Sequence, residues 1–136
     1  MQKSTNNSII WIDTIDSTND EAKRKIHSLS HLSVIAAYQQ TSGRGQRGNT
    51  WSSEVGKNLT FSIIIKYGND GYDDLIPSNQ FIISKIASIA VLDLLSKYGI
   101  KAEIKWPNDI YVNDKKIAGI LIEHTLHGNS IAYSII

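Results

Sequence analysis

Apolar and polar positions change period several times along this chain of 136 residues, and the changes mark its elements. Ile9–Ile15 is short, mostly apolar and rich in β-branched residues, which predicts a strand. Asp16-Ser17-Thr18-Asn19 follows with side chains that start helices. Ala22, Ile26 and Leu29 then recur at i, i+4 and i+7, with Asp20 and Glu21 in the first turn, which predicts an amphipathic helix of about three turns. Thr18 with Glu21 fits a capping box. Residues 34–38 and 59–65 read as strands, separated by a long polar loop of the kind that is functional or disordered in compact domains. The strongest helix is 78–98, where Ile82, Ile86, Ile89, Ala90 and Leu94 form one stripe and Gly99 is placed to end it. Its broad apolar surface predicts a packed interior helix. Strands over 101–106, 110–112, 116–124 and 130–136 follow, with Asn113-Asp114 and His127-Gly128-Asn129 as hairpin turns. Short hairpins mean antiparallel pairing, so the expected class is α+β, with a mixed, largely antiparallel sheet flanked by helices. The chain stays apolar from Ile131 to Ile136, without a cap or polar tail, as expected of a domain that continues further.

Composition removes several chemistries. With no cysteine there are no disulfides, thiolate metal sites or thiol nucleophiles, and a reducing, cytoplasmic setting is the simplest expectation. Lys plus Arg is 14 and Asp plus Glu is 13, a net charge of +1, so an anion site has to be local. No signal sequence and no membrane-spanning run are expected. His27, His31, His124 and His127 lack the acidic company of a metal site.

The local candidate is Gly43-Arg44-Gly45-Gln46-Arg47-Gly48. Glycines let the main chain approach an oxygen, and guanidiniums offer planar forks for phosphate or carboxylate. No acidic residue lies between Gln39 and Ser53. By itself the tract fits an anion site and a flexible, RNA-binding segment about equally. Ser17, Thr18 and Asn19 read first as helix caps, Trp51 as core packing, and Gln40 as either a ligand-orienting amide or a surface residue. Lys105 to Asp109 is a turn, and alternation sends one of Lys115 and Lys116 inward, where it needs an anionic partner.

In order along the chain, Asp16-Ser17-Thr18-Asn19, Gln39-Gln40, Gly43 to Gly48 with Trp51, Lys105-Trp106-Pro107-Asn108-Asp109 and Lys116-Ile117-Ala118-Gly119-Ile120-Leu121 resemble the biotin protein ligases. The resemblance implies a fold related to class II aminoacyl-tRNA synthetases, with residues 1–136 forming the N-terminal portion of the catalytic domain. It implies activation of biotin with ATP and Mg²⁺ to biotinyl-5′-AMP, then transfer to a lysine on the biotin carboxyl carrier domain of a carboxylase. Ser17, Thr18, Asn19 and Gln40 would bracket biotin. Gly43, Arg44 and Gly45 would wrap its carboxylate and the adenylate phosphate, with Gln46 beside them. Arg44 and Lys116 would be the catalytic cations, with Lys115 a solvated neighbour. Arg47, Trp51, Asn108 and Asp109 would serve ATP, Asp109 also standing nearest the metal, and Gly119 would give backbone access. Gln46 departs from the family pattern, which often has arginine there. Only about eight polar residues precede the first strand, so the DNA-binding helix-turn-helix of some relatives is not expected. A homodimer is compatible with the resemblance. The alternatives are a lipoate or octanoate transferring relative and a non-enzymatic RNA-binding module.

Overall fold

The computed structural model describes residues 8–136. Its larger sheet has the order β1-β2-β3-β8-β7, built from β1 (Ile9–Ile15), β2 (Val34–Gln40), β3 (Thr60–Lys66), β7 (Glu123–His127) and β8 (Ser130–Ile135). Only β1 and β2 run parallel, and the other pairs are antiparallel. A second sheet is the antiparallel meander β4 (Glu103–Lys105), β5 (Asp109–Val112) and β6 (Lys115–Gly119). The α+β class with mixed pairing is therefore observed, divided between two sheets.

That division explains why 116–124 is not one strand. The apolar run is continuous, but β6 belongs to one sheet and β7 to the other. At the crossing, Asn108 and Ile120 bond in both directions: the Ile120 N–H to the Asn108 carbonyl at 2.9 Å, and Asn108 Nδ2 to the Ile120 carbonyl at 2.7 Å.

Helix α1 (Thr18–Arg24) spans seven residues, shorter than expected. Lys25 leaves helical geometry, and the Ser28 hydroxyl bonds back to the Lys25 carbonyl at 2.9 Å, an alternative to continued helix. Ile26 and Leu29 still reach the core from the turns that follow, packing with Ala22, Ile35, Ile64 and Ile135. The cap is Ser17, whose hydroxyl accepts the Asp20 N–H at 3.3 Å. The Thr18 and Glu21 capping box does not form, because Thr18 turns to Gln40 and Glu21 pairs with Arg24 and Lys25.

Helix α2 (Phe81–Lys97) ends as expected: Gly99 has φ 72°, and the Gly99 and Ile100 N–H groups close onto the Ser96 and Leu95 carbonyls. It is not an interior helix. Ile83 and Ser88 are buried, while Ile82, Ile86, Ile89 and Leu94 are each 50 to 57% exposed. The apolar residues are spread round the helix, and its neighbours β4 and β5 cover one side only. By length and composition 77–97 is also apolar enough to cross a bilayer, which corrects the expectation that no stretch reaches that threshold.

Candidate functional site

Parallel pairing of β1 and β2 brings their C-terminal ends together, and the pairing continues past the strands: the Thr41 and Ser42 N–H groups bond to the Ile15 and Asp16 carbonyls, both at 2.9 Å. The Ser17–Asn19 segment and the 41–51 loop thus leave the sheet side by side. Asp16 is held below the usual carboxylate range, at about 2, chiefly by its bond with the Arg24 guanidinium and also by the Ser17 N–H.

Ser17, Thr18 and Asn19 are all buried, which surface caps would not be. Gln40 Oε1 accepts from the Thr18 N–H at 2.7 Å and from the Thr18 hydroxyl at 3.1 Å, so its Nε2 is left facing outward as a donor. Beneath them lies Ser62 of β3, fully buried, with its hydroxyl 2.8 Å from Thr18 Oγ1 and hydrogen-bonded to Asn19 Oδ1. Asn19 Nδ2 points the other way and donates to Glu123 of β7 at 2.9 Å. Among the described residues no fully buried side-chain nitrogen or oxygen lacks a partner, which holds this row in a single arrangement.

The 43–48 loop folds back as a narrow turn. Trp51 N–H bonds to the Gly43 carbonyl at 2.8 Å and Gly45 N–H to the Asn49 carbonyl at 2.7 Å. Gly43 is required here: a Cβ at that position would lie 2.5 Å from the Trp51 carbonyl oxygen and 2.8 Å from Gln40 Nε2. Arg47, at φ 56°, is in the left-handed region within the short turn Gln46–Gly48. Among the described residues, the side chains of Gln46 and Arg47 make no hydrogen bond or ion pair.

Arg44 is not a free cation. Although the loop has no acid of its own, the fold brings two: Arg44 Nε and Nη2 bond to Asp20 at 3.3 and 2.7 Å, and Nη1 and Nη2 bond to Glu123 at 2.9 Å each. Lys23 Nζ adds a contact to Glu123 at 2.7 Å. Burial would raise the Glu123 carboxyl, but the bonds from Arg44, Lys23 and Asn19 outweigh it and hold the group down to about 2. The Glu123 bond in turn raises the Arg44 guanidinium above its ordinary value.

Across from the loop, Lys116 and Lys115 of β6 are both exposed, so neither points into a covered face, but Lys116 does have an anionic partner, with Nζ 2.7 Å from Asp109. Its ammonium also sits 5.0 Å from the Trp51 ring. Trp51 lies over Gly119, where a Cβ would stand 2.8 Å from the indole, so glycine makes room for the ring. Trp51 is therefore half-exposed cover on the site and not core. Asn108 spends its amide on the β6 crossover.

The structure thus gathers the predicted residues into two groups, Ser17, Thr18, Asn19, Gln40, Gly43 and Arg44 on one side and Asp109, Lys116 and Gly119 on the other, joined through Trp51. Ser62, Glu123, Asp20 and Lys23 were missed. Ser62 had a signal, since it stands two residues before Ile64 in the inward phase of a strand, where a polar residue needs a partner. Glu123 had a weaker one, as the single acid in the apolar run 117–126. The two cavities elsewhere, about 310 Å³ beside Ile26, His27 and Tyr133 and about 590 Å³ beside Lys101, Tyr111 and Asp114, include none of the predicted site residues.

Comparison with known proteins identifies the family to which this fold belongs. The chain is 38% identical over 120 residues to the bifunctional ligase/repressor BirA of Escherichia coli, covering 87% of this chain and 35% of that protein. Among solved structures it resembles the biotin protein ligase of Aquifex aeolicus in complex with biotin and ATP (TM-score 0.68, 28% identity, 94% of this chain and 50% of that one). It also resembles the Leishmania major enzyme in complex with biotinyl-5-AMP (TM-score 0.64, 29% identity, 94% and 55%). The chain therefore spans about a third to a half of the length of these relatives. The profile of the biotin/lipoate A/B protein ligase family matches residues 11–136, nearly all of the sequence, and the chain belongs to that family.

Proposed function

We propose that this chain forms the biotin- and adenylate-binding part of a biotin protein ligase. The observation that carries the reading is the buried polar row of Ser17, Thr18, Asn19, Gln40 and Ser62, which lies beside the Gly43-Arg44-Gly45 loop, whose Trp51 in turn lies against Lys116. Relatives of this fold bind biotin with ATP and biotinyl-5-AMP.

In the first step a biotin carboxylate oxygen attacks the α-phosphorus of ATP. A P–O bond forms, the bond to the β-phosphate oxygen breaks, and pyrophosphate leaves. In the second, a lysine amine of a carboxylase carrier domain attacks the acyl carbon, a C–N bond replaces the C–O bond, AMP departs and the amine loses a proton to solvent. Gln40 Nε2 is oriented to donate to the ureido carbonyl of biotin. The Gly43 to Gly45 main chain approaches the carboxylate, and Lys116 supplies positive charge to the phosphate. Trp51 covers the nucleotide end. Both steps need positioning and charge and no covalent enzyme intermediate, which suits a chain without cysteine.

A resident metal does not fit. Asp109 is a single carboxylate already paired with Lys116, and no group of three or more metal-binding side chains occurs among the described residues. Mg²⁺ therefore belongs to the phosphates of ATP in this reading, and the absence of cysteine supports a reducing, cytoplasmic setting for the reaction.

The test is calorimetric titration of biotin, lipoate and ATP into the intact protein, with an assay of label transfer to a carrier domain. Arg44→Ala and Lys116→Ala are each expected to slow adenylate formation at least tenfold, the scale of one lost charge-assisted contact, and Gln46→Ala to matter less. Absence of both biotin binding and transfer would sink the proposal, and preference for lipoate would move the chain to the lipoate branch of the family.

A further inference from the structure

The Arg44 guanidinium has five N–H donors arranged along two edges that can each engage a carboxylate or phosphate by a fork. Both edges are taken. The Nε and Nη2 edge holds Asp20, and the Nη1 and Nη2 edge holds Glu123, so four of the five donors are spent on the protein itself. A ligand phosphate could be forked by Arg44 only after one carboxylate had left. The main-chain bonds of the loop are different. The bridge between Arg44 and Thr50 uses the N–H groups of Gly45 and Trp51 and leaves the Arg44 N–H outside the pairing.

We propose that Glu123 is a positioning residue for the ligand site, and that Arg44 acts through it as an anchor that holds the loop from behind while the loop backbone meets the ligand. Glu123 of β7 ties two other parts of the fold through three residues at one carboxylate: Asn19 and Lys23 of α1, and Arg44 of the loop. Because a carboxylate only accepts, Glu123 forces Asn19 to turn Nδ2 toward β7 and Oδ1 toward Ser62. It thereby fixes one residue of the buried row and the loop that closes over it. This inference rests on the proposed function, since it assigns how that same site is held.

Three variants in the intact protein separate positioning from simple stability. Glu123→Gln keeps the shape but turns an amide NH₂ toward a donor. It is expected to raise the Kd for biotin about tenfold or more, the scale of a charge-assisted hydrogen bond, with partial rescue in Glu123→Asp. Adding Arg44→Gln to Glu123→Gln should cost little more, because the two act as one unit. Lys25→Met removes an ion pair of the same helix, to Glu21 and outside the clamp, and should lower the melting temperature slightly while leaving the biotin Kd within about twofold. Trypsin cleavage after Arg47, measured without ligand, should quicken in Glu123→Gln and not in Lys25→Met. Unchanged biotin binding in Glu123→Gln, additive losses with Arg44→Gln, or equal weakening by Lys25→Met would overturn the proposal. If Glu123→Gln does not fold, Glu123→Asp decides by the same measurements. If the unmodified protein binds no biotin, the proposed function fails, and the trypsin comparison alone decides whether the clamp holds the loop.

Discussion

Ser62→Ala tests most directly whether the buried polar row is a built site. Ser62 is fully buried, and its hydroxyl and that of Thr18 serve three contacts with two protons: Ser62 to Asn19, Ser62 to Thr18 and Thr18 to Gln40. Replacement by alanine leaves Asn19 Oδ1 without its donor, in a position only 7% exposed, where little water can replace it. Thr18 keeps its bond to Gln40, so one acceptor is orphaned rather than two. The cost of one buried unsatisfied acceptor is about 1–3 kcal/mol, and the oxygen-sized space left behind adds little. For a chain of 136 residues, an unfolding entropy of roughly 2.1 cal/mol/K per residue turns about 2 kcal/mol into a fall of about 7 °C in melting temperature. The comparison is Ser33→Ala, equally buried but bonded only weakly, at 3.4 Å, to Ser8, for which about a third of that shift is expected. Differential scanning calorimetry gives the melting temperatures, and titration gives the biotin affinity, which should fall roughly tenfold in Ser62→Ala alone as Asn19 loses its fixed orientation. Equal small shifts in both variants, with biotin affinity intact, would refute the argument that the row is oriented through Ser62.

Other consequences are as specific. Gly43→Ala would set a methyl group 2.5 Å from the Trp51 carbonyl and 2.8 Å from Gln40 Nε2, so the loop must shift and the Trp51 to Gly43 bond weaken. Stability should fall by about 1–3 kcal/mol, with loss of biotin affinity larger than that fall implies; a variant that binds normally would show the close approach to be unimportant. His31 has its ring held below the usual histidine range by burial, and Nδ1 accepts the Lys66 N–H at 3.1 Å. A lowered folded pKa gives stability that is fully present above about 6.5 and is lost as pH falls below it, so the melting temperature should drop between pH 7.5 and 5.5. His31→Gln should flatten that slope in part, the remainder coming from His124, which burial also lowers; an unchanged slope would assign it elsewhere. Lys116→Met should leave Asp109 unpaired, lowering ATP affinity more than biotin affinity, as separate titrations of the two would show.

The α+β class, strand β1, the Gly99 helix stop and the Asn113-Asp114 turn were legible because each depends on neighbours in sequence: period, β-branching and residues that accept positive φ. The same holds for the loop glycines, whose conformational freedom is local. The helix 78–98 misled because an apolar composition states that a surface needs covering and not what covers it; here β4 and β5 cover one side. The apolar run 116–124 misled because only the second sheet makes the chain change partners at Ile120. Long-range electrostatics were beyond the sequence altogether. Gly43 to Gly48 looked free of acidic neighbours because Asp20 and Glu123 are 24 and 79 residues away from Arg44, and only folding brings them within 3 Å. Residue type and spacing determined that a glycine- and arginine-rich loop, a run of hydroxyl and amide side chains after β1 and a pair of lysines on one strand exist in this chain. Tertiary structure decided which charges neutralise one another, because Coulomb interactions and hydrogen bonds depend on distance in space, and the fold alone sets that distance.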